Sequence, residues 1–151
     1  MRKLIFMIML MVCTACEPNH LNNTHYFTSV DNLLIIEDTI NNEVVHFIVD
    51  GGTDVSLIDT KFYKKYSKRF IFLADVDSRI YSTSGLSEIR PAHIVKLRTP
   101  LGYCTFYDSN LSAVIQRANK FGYNVIGLIG SDFLKNDFVI NHQTKQIIRC
   151  N

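Results

Sequence analysis

An apolar strand that ends on a carboxylate and two glycines constrains this chain more than any other feature. Phe47-Ile48-Val49-Asp50-Gly51-Gly52-Thr53-Asp54-Val55-Ser56-Leu57-Ile58 runs out of apolar residues into a turn and back into apolar residues. A second segment, Val125-Ile126-Gly127-Leu128-Ile129-Gly130-Ser131-Asp132-Phe133-Leu134, is an apolar run broken by two glycines that leads into a short helix. A carboxylate aimed out of a rigid turn, beside an apolar platform, is a group prepared for acid chemistry. Taken alone, Asp50 also fits a turn aspartate that ends a strand and is held by local N–H groups. Gly127-Leu128-Ile129-Gly130 reads as a closely packed strand rather than a phosphate cradle, because it lacks the Lys-Ser/Thr of a phosphate loop.

The rest of the chain reads as strands and turns. Glu17 to Thr28 is polar and Asn-rich, the composition of a tether. Val30 to Ile40 and Glu43 to Val49 are strand-like and flank Asn41-Asn42, so a hairpin is predicted. Val55 to Ile58 continues as a short strand, and Asp59 or Thr60 caps a helix reaching about Lys68. Phe70 to Ala74 and Ser78 to Thr83 read as strands, Ser84-Gly85 as a turn, and Leu86 to Arg98 as extended, with Pro91 marking an edge or bulge. Tyr103 to Tyr107 is strand-like after the turn Pro100-Leu101-Gly102, and Ser112 to Phe121 has mixed helical character. Gly122 to Gly130 is strand-like, Ser131 caps a helix over Asp132 to Asn136, and Phe138 to Ile140 and Gln146 to Arg149 close the domain. The expected fold is mainly β, a small closed barrel with two or three short helices.

The N-terminus reads as a targeting segment. Arg2 and Lys3 precede an apolar stretch from Leu4 to Val12 that is too short to span a bilayer as a helix. Thr14-Ala15-Cys16 resembles a bacterial lipobox, with Cys13 in place of the usual leucine. That resemblance implies acylation at Cys16, export, and a membrane-anchored domain; an ordinary secretory signal is the other reading, and both place the protein outside the cytoplasm. The expected organisation is residues 1–15 as signal, 16–28 as tether and 29–151 as one domain. Lys and Arg number 16 against 14 Asp and Glu. Arg2 and Lys3 leave with the signal, so the mature chain is close to neutral. Lys64-Lys65 and Lys68-Arg69 read as a solvated helix face, and no concentrated positive surface for nucleic acid is legible.

Cys104 and Cys150 remain in the mature chain, as a disulfide or as two thiols. His20, His25, His46, His93 and His142 are scattered, and no Cys/His spacing suits a zinc site. His46 and His93 read as solvent-facing strand residues. Asp54 reads as a surface partner for a cation, and Asp132 as part of a first helical turn.

In their order, the two opening segments resemble the retropepsin-like aspartic proteases. That family has an apolar strand running into Asp-Thr/Ser-Gly-Ala and then an aliphatic pair; Val49-Asp50-Gly51-Gly52-Thr53 with Leu57-Ile58 aligns without gaps. Its later apolar-apolar-Gly segment, followed by Asp and a Phe-Leu helix, is matched by Val125 to Leu134, with Ile126, Gly127, Ile129 and Gly130 as the supporting motif. Tyr81-Ser82-Thr83-Ser84-Gly85 falls where the family has a hairpin flap. The resemblance spans about Leu33 to Ile148. It implies that each chain supplies one aspartate, Asp50, and that a homodimer builds the catalytic pair. Two carboxylates in contact share a proton; the ionised one activates water and the protonated one polarises a peptide carbonyl, with no cofactor or metal. Gly51 departs from the family pattern. The family's Thr or Ser there donates hydrogen bonds that lock the two loops together, and Thr53 stands where alanine is usual. Gly52 can take positive φ and let the loops approach.

Two readings of function follow. One is a membrane-anchored aspartic endopeptidase acting on peptide or protein substrates as a homodimer. The other is a lipoprotein on the same scaffold that binds a peptide or partner without cutting it, having lost activity through Gly51. An unrelated β-barrel ligand carrier would explain the aliphatic strands but not the ordered motifs.

Overall fold

The computed structural model describes residues 23–81, 87–135 and 137–150. The expected signal, the acylation site Cys16 and the flap-tip residues Ser82, Thr83, Ser84 and Gly85 lie outside the described residues. The strands are β1 (Thr24–Tyr26), β2 (Thr28–Val30), β3 (Leu33–Ile40), β4 (Glu43–Val49), β5 (Leu57–Asp59), β6 (Ile71–Tyr81), β7 (Ser87–Thr99), β8 (Gly102–Ser109), β9 (Val125–Ile129), β10 (Phe138–Asn141) and β11 (Gln146–Arg149). The helices are α1 (Thr60–Lys65), α2 (Ser112–Asn119) and α3 (Ser131–Leu134).

The β3–β4 hairpin forms as its sequence dictates. Leu34 pairs with Val49 and Ile40 with Glu43. Asn41 and Asn42 turn the chain at φ 52° and 62°, the left-handed pair that matches strand twist. Asp31 and Asn32 take the same conformation, at φ 48° and 62°. They cut the expected Val30–Ile40 strand into β2 and β3. Asp59 caps α1, accepting from the N–H groups of Lys61 and Phe62.

Strand β4 is the centre of the molecule. Val45 to Val49 are buried in succession, as in a strand covered on both faces. It pairs antiparallel with β3 and parallel with β9. In turn β9 pairs antiparallel with β5, and β5 parallel with β8. The eight-stranded order is β2-β3-β4-β9-β5-β8-β7-β6, and a smaller sheet has the order β1-β11-β10. One face of β4 packs Phe47 against Phe106, with ring centroids 5.8 Å apart. On the other side Ile35, Ile48, Val125 and Leu128 pack with Ala118 of α2. The eight-stranded order has two ends, β2 and β6, so its hydrogen bonds do not join into the closed barrel expected from the sequence.

Other details differ from expectation. The stretch read as tether contains β1, which pairs with β11, and Phe27, only 5% exposed; strand pairing and one buried apolar side chain hold the segment to the fold. The two strands expected over Phe70–Thr83 are one, β6, paired with β7 from Ile71↔Lys96 to Tyr81↔Ser87. Because β8 meets β7 only over Ile94–Thr99, the far half of β6–β7 is a two-stranded ribbon. Pro91 lies on that ribbon, where a missing N–H leaves no second ladder incomplete. Ser131 is not a cap: Gly130 occupies that position, without a side-chain bond.

Of the two strand histidines, His46 faces inward rather than to solvent, whereas the His93 side chain is 41% exposed. His46 is 8% exposed and stands edge-on to Tyr123, with ring centroids 5.1 Å apart. His93 Nδ1 lies 3.2 Å from the buried Asp108 carboxylate. His46 lies on the central strand β4, where both faces are covered, so alternation no longer marks an outward residue. Cys104 is buried and Cys150 exposed, both as free thiols.

Candidate active site

Asp50 follows the last residue of β4, where the C-terminal ends of the parallel strands β4 and β9 lie side by side. Its N–H donates to Ile129 O at 2.9 Å, extending the ladder by one bond into the loop. The loop then folds back on the carboxylate. Gly52 N–H donates to Asp50 Oδ1 at 2.9 Å, and the Thr53 hydroxyl donates to Oδ2 at 2.7 Å. Thr53 N–H also reaches Asp50 O at 3.2 Å. Each carboxylate oxygen therefore has its own donor, and the side chain is oriented without help from elsewhere.

The two glycines serve different purposes. Neither takes the positive φ expected for Gly52. A Cβ on Gly52 would stand 3.2 Å from Asp50 Oδ1, inside the space the carboxylate uses. A Cβ on Gly51 would meet nothing within 4 Å, so that position opens outward. Asp50 and Thr53 are half-buried, whereas Gly51, Gly52, Asp54 and Val55 are exposed. The loop crest is thus a free surface of the protomer.

Behind the crest, the second segment clamps the loop. Ser131 N–H donates to Thr53 O at 2.8 Å and Asp132 N–H to Asp54 O at 3.2 Å. The Asp132 carboxylate receives Ser56 N–H at 3.1 Å and the Ser56 hydroxyl at 2.7 Å. Ser56 Oγ in turn accepts Gly130 N–H at 3.0 Å. Gly130 has no room for a side chain, since a Cβ would lie 2.6 Å from the backbone of Val55. Gly127 is nearly as tight, 2.9 Å from Leu57 O. Of the supporting motif, Ile129 and Gly130 lie directly against the Asp50 loop, while Gly127 packs on Phe47, Leu57 and Ile58 and Ile126 lies in the core, all four in buried positions.

Sequence reading missed the Ser56–Asp132 pair. The available signal was a serine inside the apolar run Val55-Ser56-Leu57-Ile58: a polar group in a buried strand requires a partner. Asp132 does sit in the first turn of α3, but its carboxylate serves Ser56 rather than the helix alone. Asp54 forms no ion pair among the described residues. Cys104 is buried near the same place, and its thiol pKa is pushed up to about 12, chiefly by burial and further by the Asp132 charge, while a hydrogen bond from Ser56 opposes the shift. Tyr81 lies at the described end of the β6 arm, paired with Ser87. Among the described residues no His, Cys, Asp and Glu cluster suits a metal ion.

No family model and no curated protein matches this chain. Among solved structures it is similar to a retropepsin-like aspartic protease from Rickettsia conorii. That likeness has 16% identity, covers 83% of this chain and 88% of that one, and has a TM-score of 0.44. It is also similar to the retroviral protease-like domain of Ddi1 from Leishmania major, with 20% identity, 79% and 89% coverage, and a TM-score of 0.48.

Proposed function

We propose that this chain is a retropepsin-like aspartic endopeptidase that works as a homodimer, exported and held at a membrane surface by an acylated Cys16. The observation that carries the reading is the Asp50 loop. A carboxylate with one donor per oxygen sits on an exposed crest that is rigidly backed by β9 and α3. A lone turn aspartate needs no such second segment behind it. Open space at Gly51 leaves room for a second copy of the loop to approach about a twofold axis. Two Asp50 side chains meeting there share one proton, because two adjacent negative charges are costly. The ionised one then takes a proton from water while the other hydrogen-bonds the scissile carbonyl. The β6–β7 ribbon, described as far as the Tyr81–Ser87 pair, serves as the flap that shuts the cleft. A closed acid-protease barrel belongs to the same reading; Phe27, before β2, and Phe70, before β6, share one core cluster, as the two ends of a curled sheet would.

A second reading has one specific support. Gly51 offers no hydroxyl across the dimer, and the Thr53 hydroxyl is committed to Asp50 of its own chain. A loop satisfied within its own protomer suits a protein that holds a peptide without cutting it.

One assay separates the two. The chain from residue 17 onward is incubated with a diverse peptide library from acidic to neutral pH, beside Asp50→Asn. Cleavage by the wild type alone supports the enzyme. Cleavage gained only with Gly51→Thr supports the impaired binder. Equal cleavage by wild type and Asp50→Asn, or a strict monomer in sedimentation at high concentration, overturns the dyad.

A further inference from the structure

A cleft of about 870 Å³ lies away from the Asp50 loop, bordered by the Asn41-Asn42 turn. Asp50 follows the opposite end of β4, whose seven residues span about 23 Å. Four cations line the cleft, Arg69, Lys96, Arg98 and Arg149, against one carboxylate, Asp38. They come from three separate places in the chain. Lys96 and Arg98 alternate with the buried Val95 and Leu97 along β7, so core packing directs both to the same outer face. Arg149 ends β11 and stacks over Phe138, 5.1 Å from ring centroid to Cζ. Arg69 is held by Asn41 Oδ1 at 2.6 Å. None of the four is in an ion pair among the described residues, although the Arg98 charge acts on Asp38; the ion pairs there involve Lys65, Arg117 and the histidines. In a nearly neutral chain, that leaves a local excess of positive charge.

We infer that this cleft is a docking surface for the anionic phospholipid headgroups of the membrane that carries the anchor. The inference rests on the reading of Cys16 as acylated. Asn23 lines the cleft. Seven residue steps join it to Cys16, at most about 25 Å even when fully extended. An acyl chain at Cys16 therefore keeps the cleft close to the headgroups. Phosphate oxygens are the natural partners of unpaired guanidinium groups. Tyr103, 57% exposed with Lys96 Nζ 5.4 Å from its ring centroid, supplies the amphipathic aromatic that favours the water–lipid boundary. Docked in this way, the protomer holds its Asp50 loop on the side away from the bilayer, where soluble polypeptide can reach it.

Cys150, exposed beside Arg149, provides the probe. The full chain, processed in cells and purified in detergent, is labelled there with an environment-sensitive fluorophore. It is then reconstituted into vesicles of phosphatidylcholine alone or with phosphatidylglycerol, each carrying a headgroup quencher. Docking predicts strong quenching on the anionic vesicles only, reversed by 0.5 M salt as screening sets in. Each basic residue at an anionic surface strengthens docking about fivefold. Lys96→Gln with Arg98→Gln should then lower the docked-to-free ratio about 25-fold, with circular dichroism unchanged. Equal quenching on both vesicles, or no effect of the double variant, overturns the inference. So does loss of quenching with millimolar inorganic phosphate, which marks a small-anion site, or burial of the probe by soluble polyglutamate but not by anionic vesicles, which marks a polypeptide site. Mass spectrometry of the purified protein reads Cys16 separately. Without the lipid, the anchor reading fails alone, and the labelled chain added to preformed vesicles still decides the cleft.

Discussion

Ser56 gives both its N–H and its hydroxyl to the carboxylate of Asp132, across 76 positions of sequence. The same hydroxyl oxygen accepts Gly130 N–H, so one small side chain fastens the Asp50 loop to the end of β9 and the start of α3. Ser56→Ala removes one bond to a charged group and leaves a buried N–H without a partner. The expected loss is about 2–4 kcal/mol. For a domain of this size that lowers the thermal midpoint by roughly 10 °C. Calorimetry of the two proteins checks it, and an unchanged midpoint would remove Ser56 from the account.

Gly130→Ala should be worse than any neighbouring glycine change. Its Cβ would press on Val55 backbone at 2.6 Å, and no side-chain rotation relieves a clash with backbone. A loss of roughly 3 kcal/mol or more is expected, or failure to fold. Gly51→Ala meets open space and should leave the urea midpoint almost unmoved. Similar effects at the two positions would contradict the packing described.

Thr53 separates orientation from simple occupancy. Thr53→Val keeps the shape and removes the donor to Asp50 Oδ2; Thr53→Ser keeps the donor. If the chain cleaves peptides, kcat/KM should fall about tenfold or more in the valine variant, the equivalent of one charge-assisted bond, and recover in the serine variant. Equal rates in all three proteins would show that the hydroxyl is idle.

Gly51→Thr is the change that adds what the loop lacks. The monomer has space for the side chain. Two new hydrogen bonds across a twofold axis, each about 1 kcal/mol, should tighten dimerisation about 30-fold. Analytical sedimentation reads this directly. A dissociation constant that does not fall would mean that the two loops do not meet through Gly51.

Cys104 predicts an alkaline instability. The folded thiol is pushed up to about 12, from an ordinary value of 9.0. Between those values the folded chain keeps a proton that the unfolded chain releases. Stability is therefore intact below about pH 9 and falls above it, by up to about 1.4 kcal/mol per pH unit. Cys104→Ala should remove this part of the slope in denaturation measured from pH 8 to 11. Native protein should also react with a thiol reagent at Cys150 and spare Cys104.

Local chemistry was legible wherever neighbours in sequence settle the outcome. Asn41 and Asn42 set a hairpin, Asp59 capped a helix, and Glu43–Val49 emerged as a strand with the boundaries expected. The Asp50 turn and the glycine-broken run were visible as two segments. The sequence did not reveal how many strands cover β4, and so His46 was placed outside when it lies inside. It could not weigh Phe27, whose burial turned an apparent tether into part of the fold.

What the amino-acid order determined alone was the kind of element at most places and the presence of one carboxylate on a glycine turn, because turn φ angles, caps and apolar runs are short-range effects. Only the tertiary structure decided which distant groups meet. It joined Ser56 to Asp132, turned Gly130 into a contact surface, and gathered Arg69, Lys96, Arg98 and Arg149 around one cleft. The physical reason is that strand pairing and core packing fix those distances, and neither has a signature within a few residues of chain.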